Sequence, residues 1–217
     1  MAFILYVRVW TWHTTEAALV LPGSQGFGWF FRYLTFWSYS LQLLQLALCL
    51  ITHTSRNASR QIFVSQAADK LSCAVFGLAN TVTAMFYAIE FTTQGLVEGG
   101  ALDRPWWLEF AVHVANSAVA WIDLIIVEER SFCGRSRHLA LFLALSYGFF
   151  LLLVRANYGK FPYPILNKLP FPHGYLGFFG VGVVVVIITF ELGRFVKHFI
   201  LPKLLSMKVS KQKDKGA

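Results

Sequence analysis

A threonine and a histidine near the starts of two apolar segments are suited to act as a nucleophile and its base. Thr35 lies in FRYLTFWSYSLQ and His113 ends WWLEFAVH. A threonine hydroxyl is a weak nucleophile until a base accepts its proton, and histidine, with an unperturbed pKa of about 6.5, is suited to that task. The pair therefore predicts acyl transfer through an acyl-threonine intermediate, with His113 then activating the water that releases the acid.

Charged residues lie one turn before each member of the pair. Glu109 precedes His113 by four positions and is placed to orient the imidazole and to stabilise its cation. Arg32 precedes Thr35 by three positions and can hold an acidic head group or a developing oxyanion. Both are predicted to support the reaction.

Helical periodicity adds further polar residues to the same faces. One stripe holds Arg32, Thr35, Tyr39 and Gln42. A second holds Glu109, His113, Asn116 and Asp123, and a third holds Asn80, Thr83, Tyr87 and Glu90. Because polar side chains facing lipid are costly, the stripes predict a shared polar interior. Tyr39 and Asn116 join Arg32 as candidate oxyanion donors, whereas Asn80, Thr83 and Gln42 are better interpreted as hydrogen bonds between helices.

Composition indicates the elements that must position these residues. Hydrophobic residues make up 56% of the 217 positions, charged residues 14%, and the mean hydropathy is +0.55. A transmembrane helix needs about 20 mostly apolar residues. Segments of that kind lie at residues 2–21, 29–52, 71–93, 106–127, 139–156 and 175–200. We therefore predict an all-α integral membrane protein, with a six-transmembrane-helix bundle over residues 1–202 and a basic tail over residues 203–217.

The distribution of lysine and arginine predicts the orientation of this bundle. The formal charge is +8, and most basic residues lie in the connections after the second and fourth segments and in the tail. By the positive-inside rule both termini are cytoplasmic. The excess charge therefore indicates topology, and no nucleic-acid partner is expected. The endoplasmic reticulum and the plasma membrane both fit this pattern.

The same topology places the two reactive residues at similar depth. Thr35 lies six residues after Trp29, and His113 seven residues after Trp106. Both helices start from the non-cytoplasmic side, so each residue lies about 9–11 Å inside that boundary at about 1.5 Å per residue. The two side chains are therefore expected to meet.

Four motifs resemble a known family. They are FRYLTFWSYSLQ around Thr35, WWLEFAVH ending at His113, an acidic residue at Asp123, and GKFPYPIL from Gly159 to Leu166. The chain resembles the androgen-induced and androgen-dependent (FAR-17a/AIG-like) family of integral membrane threonine hydrolases, which cleave fatty acid esters of hydroxy fatty acids. The resemblance implies that Thr35 is the nucleophile and His113 its partner, acting without metal or cofactor on a lipid ester drawn from the bilayer. Tyr163 lies in the last of these motifs, where it shapes the access path or simply turns the chain.

Two other classes of function are compatible with the composition. A metal or haem site would draw on His13 and His113, yet zinc needs three or four ligands and no HxxxH or HxxH spacing is present. A non-catalytic lipid-binding protein or a small-solute or ion transporter would use the polar stripes as a pathway, with Asp123 as an ion or proton site. No inverted internal repeat supports transport.

Overall fold

The computed structural model describes residues 2–20, 24–93, 107, 110–128, 130–204 and 206. Helix α1 covers Ala2–Trp12 and continues through a π-helical turn, His13–Ala17, into Ala18–Val20. Helices α2 and α3 cover Leu34–Thr54 and Ala58–Thr93. The described part of helix α4 comprises the π-helical turn Phe110–Ala115 and the α-helix Asn116–Ile126. The remaining helices are α5 (Gly134–Tyr158), the short α6 (Pro164–Lys168) and α7 (His173–Phe195), which runs into the π-helical turn Val196–Ile200.

The described part of the chain is all-helical and contains no strand. Four of its helical stretches are long and apolar enough to cross a membrane, namely Leu34–Thr54, Ala58–Ile89, Gly134–Tyr158 and His173–Leu204. Phe110–Ile126 is apolar but shorter. Large apolar side chains are exposed on the outer helix faces, as is typical of a multi-pass membrane protein. The count of six spans and the cytoplasmic location of both termini stay predictions.

The second predicted helix begins later than its hydropathy suggests. Residues Trp29–Arg32 form a separate 3-10 helix, and Tyr33 is extended with φ −108° and ψ 130°. The chain turns sharply before this helix, because Gly28 has a φ of 83°, which favours glycine. The α-helix starts only at Leu34. Arg32 therefore does not lie on the α-helical stripe that carries Thr35.

The third and fifth predicted helices begin earlier than their apolar segments. Helix α3 starts at Ala58, where the apolar segment starts at residue 71. The side chain of Asn57 accepts a 3.1 Å hydrogen bond from the Arg60 N–H and caps this end. Helix α5 starts at Gly134 rather than 139. Hydropathy marks only the apolar part of a helix, so polar first turns are missed.

Helix α3 is the central helix of the bundle and packs against α2, α4, α5 and α7. The largest core cluster joins Phe76 and Leu78 of α3 to Leu124 of α4 and Phe190 of α7. Gly193 allows the close approach of α7, since a Cβ there would lie 2.5 Å from the Phe76 ring. The polar residues of α2 and α4 lie beside this core.

Candidate functional site

The register between α2 and α4 is recorded by two hydrogen bonds. Asn116 Nδ2 donates to Ser38 Oγ at 2.9 Å, and Gln45 Nε2 makes a longer bond of 3.5 Å to Asp123 Oδ1. Both pairs are separated by 78 positions in sequence, so the two helices run parallel and in step over two turns. Thr35 and His113 are also 78 positions apart, one turn before Ser38 and Asn116. Continuing the register by one turn would bring the threonine and the histidine to the same level, although His113 lies in the π-helical turn, where the α-helical spacing is not kept.

His113 is held by two residues of α3. Its ring is stacked on Phe86, with the ring centroids 3.6 Å apart and an interplanar angle of 10°. Thr83 Oγ1 donates a short hydrogen bond to the His113 carbonyl. The histidine lies in the π-helical turn, a geometry that often occurs at functional sites. Only 8% of His113 is exposed, so its imidazole is held by packing within the bundle.

Thr35 is the second residue of α2 and is half-buried. Its hydroxyl forms no hydrogen bond with any residue that the structure describes. The first four N–H groups of a helix have no partner within it. Here Leu34 N–H donates to Tyr163 Oη at 2.9 Å, and the Phe36 and Trp37 N–H groups donate to the Tyr33 carbonyl at 3.1 and 3.3 Å. Of the first four N–H groups of α2, that of Thr35 has no acceptor among the residues that the structure describes.

The Arg32 side chain is engaged in the preceding loop. Its Nε donates to the Trp29 carbonyl at 3.1 Å and its Nη2 to the Gln25 carbonyl at 3.0 Å. The guanidinium also lies over the Tyr158 ring, 5.1 Å from its centroid. These contacts brace the loop that leads into α2. They favour a structural role for Arg32 over its predicted role at an oxyanion.

Tyr39 and Asn116, the other candidate oxyanion donors, form a packed unit with α1. Tyr39 stacks on Tyr6 with ring centroids 4.2 Å apart, and the Tyr6 hydroxyl donates to Asn116 Oδ1 at 2.9 Å. Since Asn116 also donates to Ser38, its side chain is occupied as both acceptor and donor. Tyr39 lies one turn after Thr35, and Asn116 one turn after His113. Their contacts hold together the helices that carry Thr35 and His113.

Asp123 lies at the opposite end of the α2–α4 contact and is saturated. Arg130 Nε donates to Asp123 Oδ2 at 2.8 Å and Arg130 Nη2 to Oδ1 at 2.7 Å, a bidentate pair. Ser72 Oγ adds a short hydrogen bond to Oδ2, and Gln45 adds the long one to Oδ1. Arg130 is only 6% exposed. The geometry is that of a structural ion pair joining α2, α3 and α4, rather than of an ion or proton site.

The last two predicted supporting residues differ in what the structure shows of them. Glu109 lies outside the described residues. Tyr163 receives the Leu34 N–H and lies 2.8 Å from the Tyr147 hydroxyl, so it contacts the start of α2 directly. Besides its predicted role in turning the chain, Tyr163 therefore contacts the end of the helix that bears Thr35.

Several residues near His113 and Thr35 were not predicted from the sequence to belong to this site. Ser38 lies one turn after Thr35 and would have been found by extending the polar stripe. Thr83 was assigned to helix contacts, and it does bind the carbonyl of His113. Phe86 and Tyr147 carry no signal, since aromatic residues are common in every apolar segment. Their partners lie 27 and 115 positions away, which no local pattern records.

The two histidines of the metal alternative have different surroundings. His13 Nδ1 lies 2.8 Å from the Val9 carbonyl, and the ring packs against Phe30 and Phe36 with centroid distances of 5.1 and 5.3 Å. His113 is stacked on Phe86. Over the described ranges, no group of three or more possible metal ligands gathers.

Comparison with known proteins gives the family. The sequence model of the family described as FAR-17a/AIG1-like protein matches residues 1–198. The human androgen-induced gene 1 protein is 24% identical over 217 aligned positions, which cover 91% of this chain and 89% of the human protein. No solved structure is significantly similar. Because the family match extends over nearly the whole chain, this protein belongs to the FAR-17a/AIG1-like family.

Proposed function

We propose that the protein is an intramembrane lipid-ester hydrolase in which Thr35 is the nucleophile and His113 the base. The observation that supports this proposal is the shared register of α2 and α4, defined by the Ser38–Asn116 and Gln45–Asp123 bonds, because Thr35 and His113 have the same 78-position spacing one turn earlier. The resemblance of the motifs around Thr35 and His113 to the family's motifs implies the same two roles, and the chain belongs to that family.

The chemistry follows from the two residue types. His113 accepts the hydroxyl proton while Thr35 Oγ1 attacks the ester carbonyl carbon, giving a tetrahedral oxyanion. The oxyanion collapses, the alcohol leaves with the proton from His113, and an acyl-threonine ester stays on the enzyme. His113 then takes a proton from water as the water oxygen attacks the acyl carbon; the second tetrahedral intermediate collapses, His113 returns the proton to Thr35 Oγ1, and the acid leaves the regenerated enzyme.

The start of α2 offers a donor for the oxyanion. A continuous helix has no spare N–H group, but Thr35 lies in the first turn, where N–H groups lack helical acceptors. We assign its N–H to the oxyanion, so that nucleophile and donor belong to one residue. The positive end of the helix dipole also favours negative charge at this point. Removing one oxyanion donor typically costs about 10²–10³ in kcat.

The substrate class follows from the surroundings. The family resemblance points to fatty acid esters of hydroxy fatty acids, and the outer helix faces are apolar enough for such a lipid to enter from the bilayer. Aromatic side chains flank the start of α2, including Trp10, Trp29, Phe30 and Phe36. These rings provide an apolar wall for acyl chains beside a polar reaction centre.

The test combines covalent labelling with turnover in detergent-solubilised protein. A fluorophosphonate probe and a branched fatty-acyl hydroxy-fatty-acid ester are applied to the wild type, Thr35→Ala, Thr35→Ser and His113→Ala. Thr52→Ala is the matched control, because Thr52 is a half-buried threonine of the same helix whose hydroxyl donates to Leu48. Gel filtration and melting curves verify that each variant is folded.

The proposal expects Thr35→Ala and His113→Ala to abolish both labelling and turnover, with Thr52→Ala at the wild-type level. Thr35→Ser is expected to retain measurable activity, because a hydroxyl remains at the same position. Labelling that persists in folded Thr35→Ala, or that never occurs in the wild type, would favour the non-catalytic lipid-binding or transport alternative.

A further inference from the structure

Two tyrosines bridge the backbone on either side of Tyr33. Tyr147 of α5 donates from its hydroxyl to the Arg32 carbonyl at 2.9 Å, and Tyr163, just before α6, accepts the Leu34 N–H at 2.9 Å. The two hydroxyl oxygens are 2.8 Å apart. We call this arrangement the tyrosine bridge.

The direction of each hydrogen bond in the bridge is fixed by counting hydrogens. A phenol has one hydrogen to donate. Tyr147 uses its hydrogen on the Arg32 carbonyl, so Tyr163 must donate to Tyr147. The series of hydrogen bonds therefore runs from the Leu34 N–H through Tyr163 and Tyr147 to the Arg32 carbonyl. Every hydroxyl in it is used, and the loss of either one breaks the connection across Tyr33.

The bridge acts where the 3-10 helix ends and α2 begins. Tyr33 is extended, so the helical backbone is interrupted at this residue. Tyr147 and Leu166 are buried in a cluster that Tyr163 packs against, which gives the bridge a rigid base. The Tyr163 ring also meets the Tyr33 ring edge to face at 6.0 Å. Contacts from α5 and the α5–α6 connection thus hold the first turn of α2.

We infer that the tyrosine bridge is a positioning device for the proposed reaction: it fixes the start of α2 at Leu34 and thereby the place of the Thr35 hydroxyl and N–H. This inference rests on the proposed function. Neither tyrosine is assigned to the reacting atoms. Without the bridge, Leu34 N–H would be free to seek a carbonyl of the preceding turn, and Thr35 would shift with it.

The experiment compares Tyr163→Phe and Tyr147→Phe with Tyr175→Phe. Tyr175 is the matched control, because it is buried in the same cluster and its hydroxyl donates to the Gly148 carbonyl at 2.6 Å rather than to the backbone beside Tyr33. Each variant loses one buried hydroxyl and keeps its ring. Turnover of the branched ester is resolved into kcat and KM, melting temperatures are recorded, and amide hydrogen exchange is followed over residues 34–37.

Misplacement of reacting groups by about 1 Å can cost about 10²-fold in rate. We therefore expect kcat to fall about 10- to 100-fold in Tyr163→Phe and Tyr147→Phe with KM nearly unchanged. The double variant should match the more impaired single variant, because both residues belong to one connection. Amide exchange at residues 34–37 should accelerate in these variants and not in Tyr175→Phe, which should lose melting temperature while retaining kcat.

Two outcomes would overturn the inference, and they are distinguishable. If the wild type is active in a Thr35-dependent way and the bridge variants lose only melting temperature, as Tyr175→Phe does, the bridge is structural and the proposed function stands. If the wild type has no Thr35-dependent turnover, the proposed function fails and the positioning role fails with it.

Discussion

The two ends of the α2–α4 contact share a register but differ in how their polar groups are bonded. At one end Asp123 receives Arg130, Ser72 and Gln45, so its carboxylate is saturated. At the other end, the Thr35 hydroxyl has no hydrogen bond to any residue in the described part of the chain. Ser38 and Asn116 lie between the two ends and are bonded to each other.

This difference separates a polar group that stabilises from one that can react. A buried carboxylate is costly unless its lone pairs have partners, and two bonds from Arg130 together with those from Ser72 and Gln45 meet that requirement. A nucleophile needs the opposite, since a hydroxyl committed to a strong internal bond must first break it. The contrast therefore assigns the Asp123 end to the fold and the Thr35 end to chemistry, within the function proposed above.

The largest expected effect on stability comes from breaking the saturated end. In Asp123→Asn the Arg130 guanidinium keeps its charge and loses its counter-ion in a nearly closed site. Removing one partner of a buried ion pair costs about 3–5 kcal/mol, so the apparent melting temperature in detergent should fall steeply. Replacing both residues by Leu and Met should recover much of the loss, because no unpaired charge is then left.

Thr35→Ala is the matching measurement at the other end. It removes no hydrogen bond recorded in the described chain, so the unfolding free energy should stay within about 1 kcal/mol of the wild type. Comparable destabilisation by the two variants would contradict the contrast between the ends, and would indicate that Thr35 is a packing residue.

A substitution in the middle of the α2–α4 contact should have a smaller effect on stability and should also affect turnover. Asn116→Ala leaves the Tyr6 hydroxyl without its acceptor and Ser38 without its donor, which should cost about 1–3 kcal/mol. Because Asn116 fixes the register one turn from Thr35, turnover should fall as well.

Asn80→Ala is the control for that variant. Asn80 accepts from Ser117 at 2.7 Å and from Trp121 at 2.8 Å, so its loss also removes two side-chain bonds between helices. It lies on α3, outside the α2–α4 register. Equal losses of melting temperature with unequal losses of turnover would support the register argument, whereas parallel losses of both would reduce Asn116 to a stability residue.

Periodicity in the sequence found part of the interior polar faces, whereas Tyr87 of the third stripe is 38% exposed. Tyr39, His113 and Asn116 are buried, and Asp123 makes its bonds toward the other helices. This succeeds because a polar group at membrane depth must turn inward, whatever its partner. The burial of these residues can therefore be predicted without knowing the fold. The catalytic roles of Thr35 and His113 stay predictions.

The parts that sequence reasoning missed depend on distant partners. The first N–H of α2 donates to Tyr163, 129 positions away, whereas hydropathy placed the start of this helix too early and put Arg32 on it. Arg130 lies beyond the end of α4 and resembles a basic residue of a cytoplasmic connection, yet it folds back to Asp123, seven positions earlier. In both cases the deciding contact is tertiary and leaves no periodic trace.

The smallest expected effect is a difference in thiol reactivity between two cysteines near Asp123. The sulfur of Cys49 lies among the side chains that bind Asp123 and accepts hydrogen bonds from Gln45 at 3.3 Å and Arg130 at 3.7 Å. Cys133 lies outside, in the connection before α5. Burial raises the pKa of Cys133, but hydrogen bonds from the Ser136 side chain and N–H, together with Ser131 and the Arg135 N–H, outweigh this and lower the pKa to about 7.

Alkylation by iodoacetamide, followed by mass spectrometry across a pH series, measures this difference. The thiolate is the reactive form, so labelling of Cys133 should rise with pH with a midpoint near the pKa of about 7, and Ser136→Ala should move the midpoint upward. Cys49 should label slowly, because the Gln45 and Arg130 side chains that contact its sulfur limit access of the reagent. Rapid labelling of Cys49 would mean that the Asp123 end opens to solvent, and its bonds could then no longer distinguish it from the end that carries Thr35.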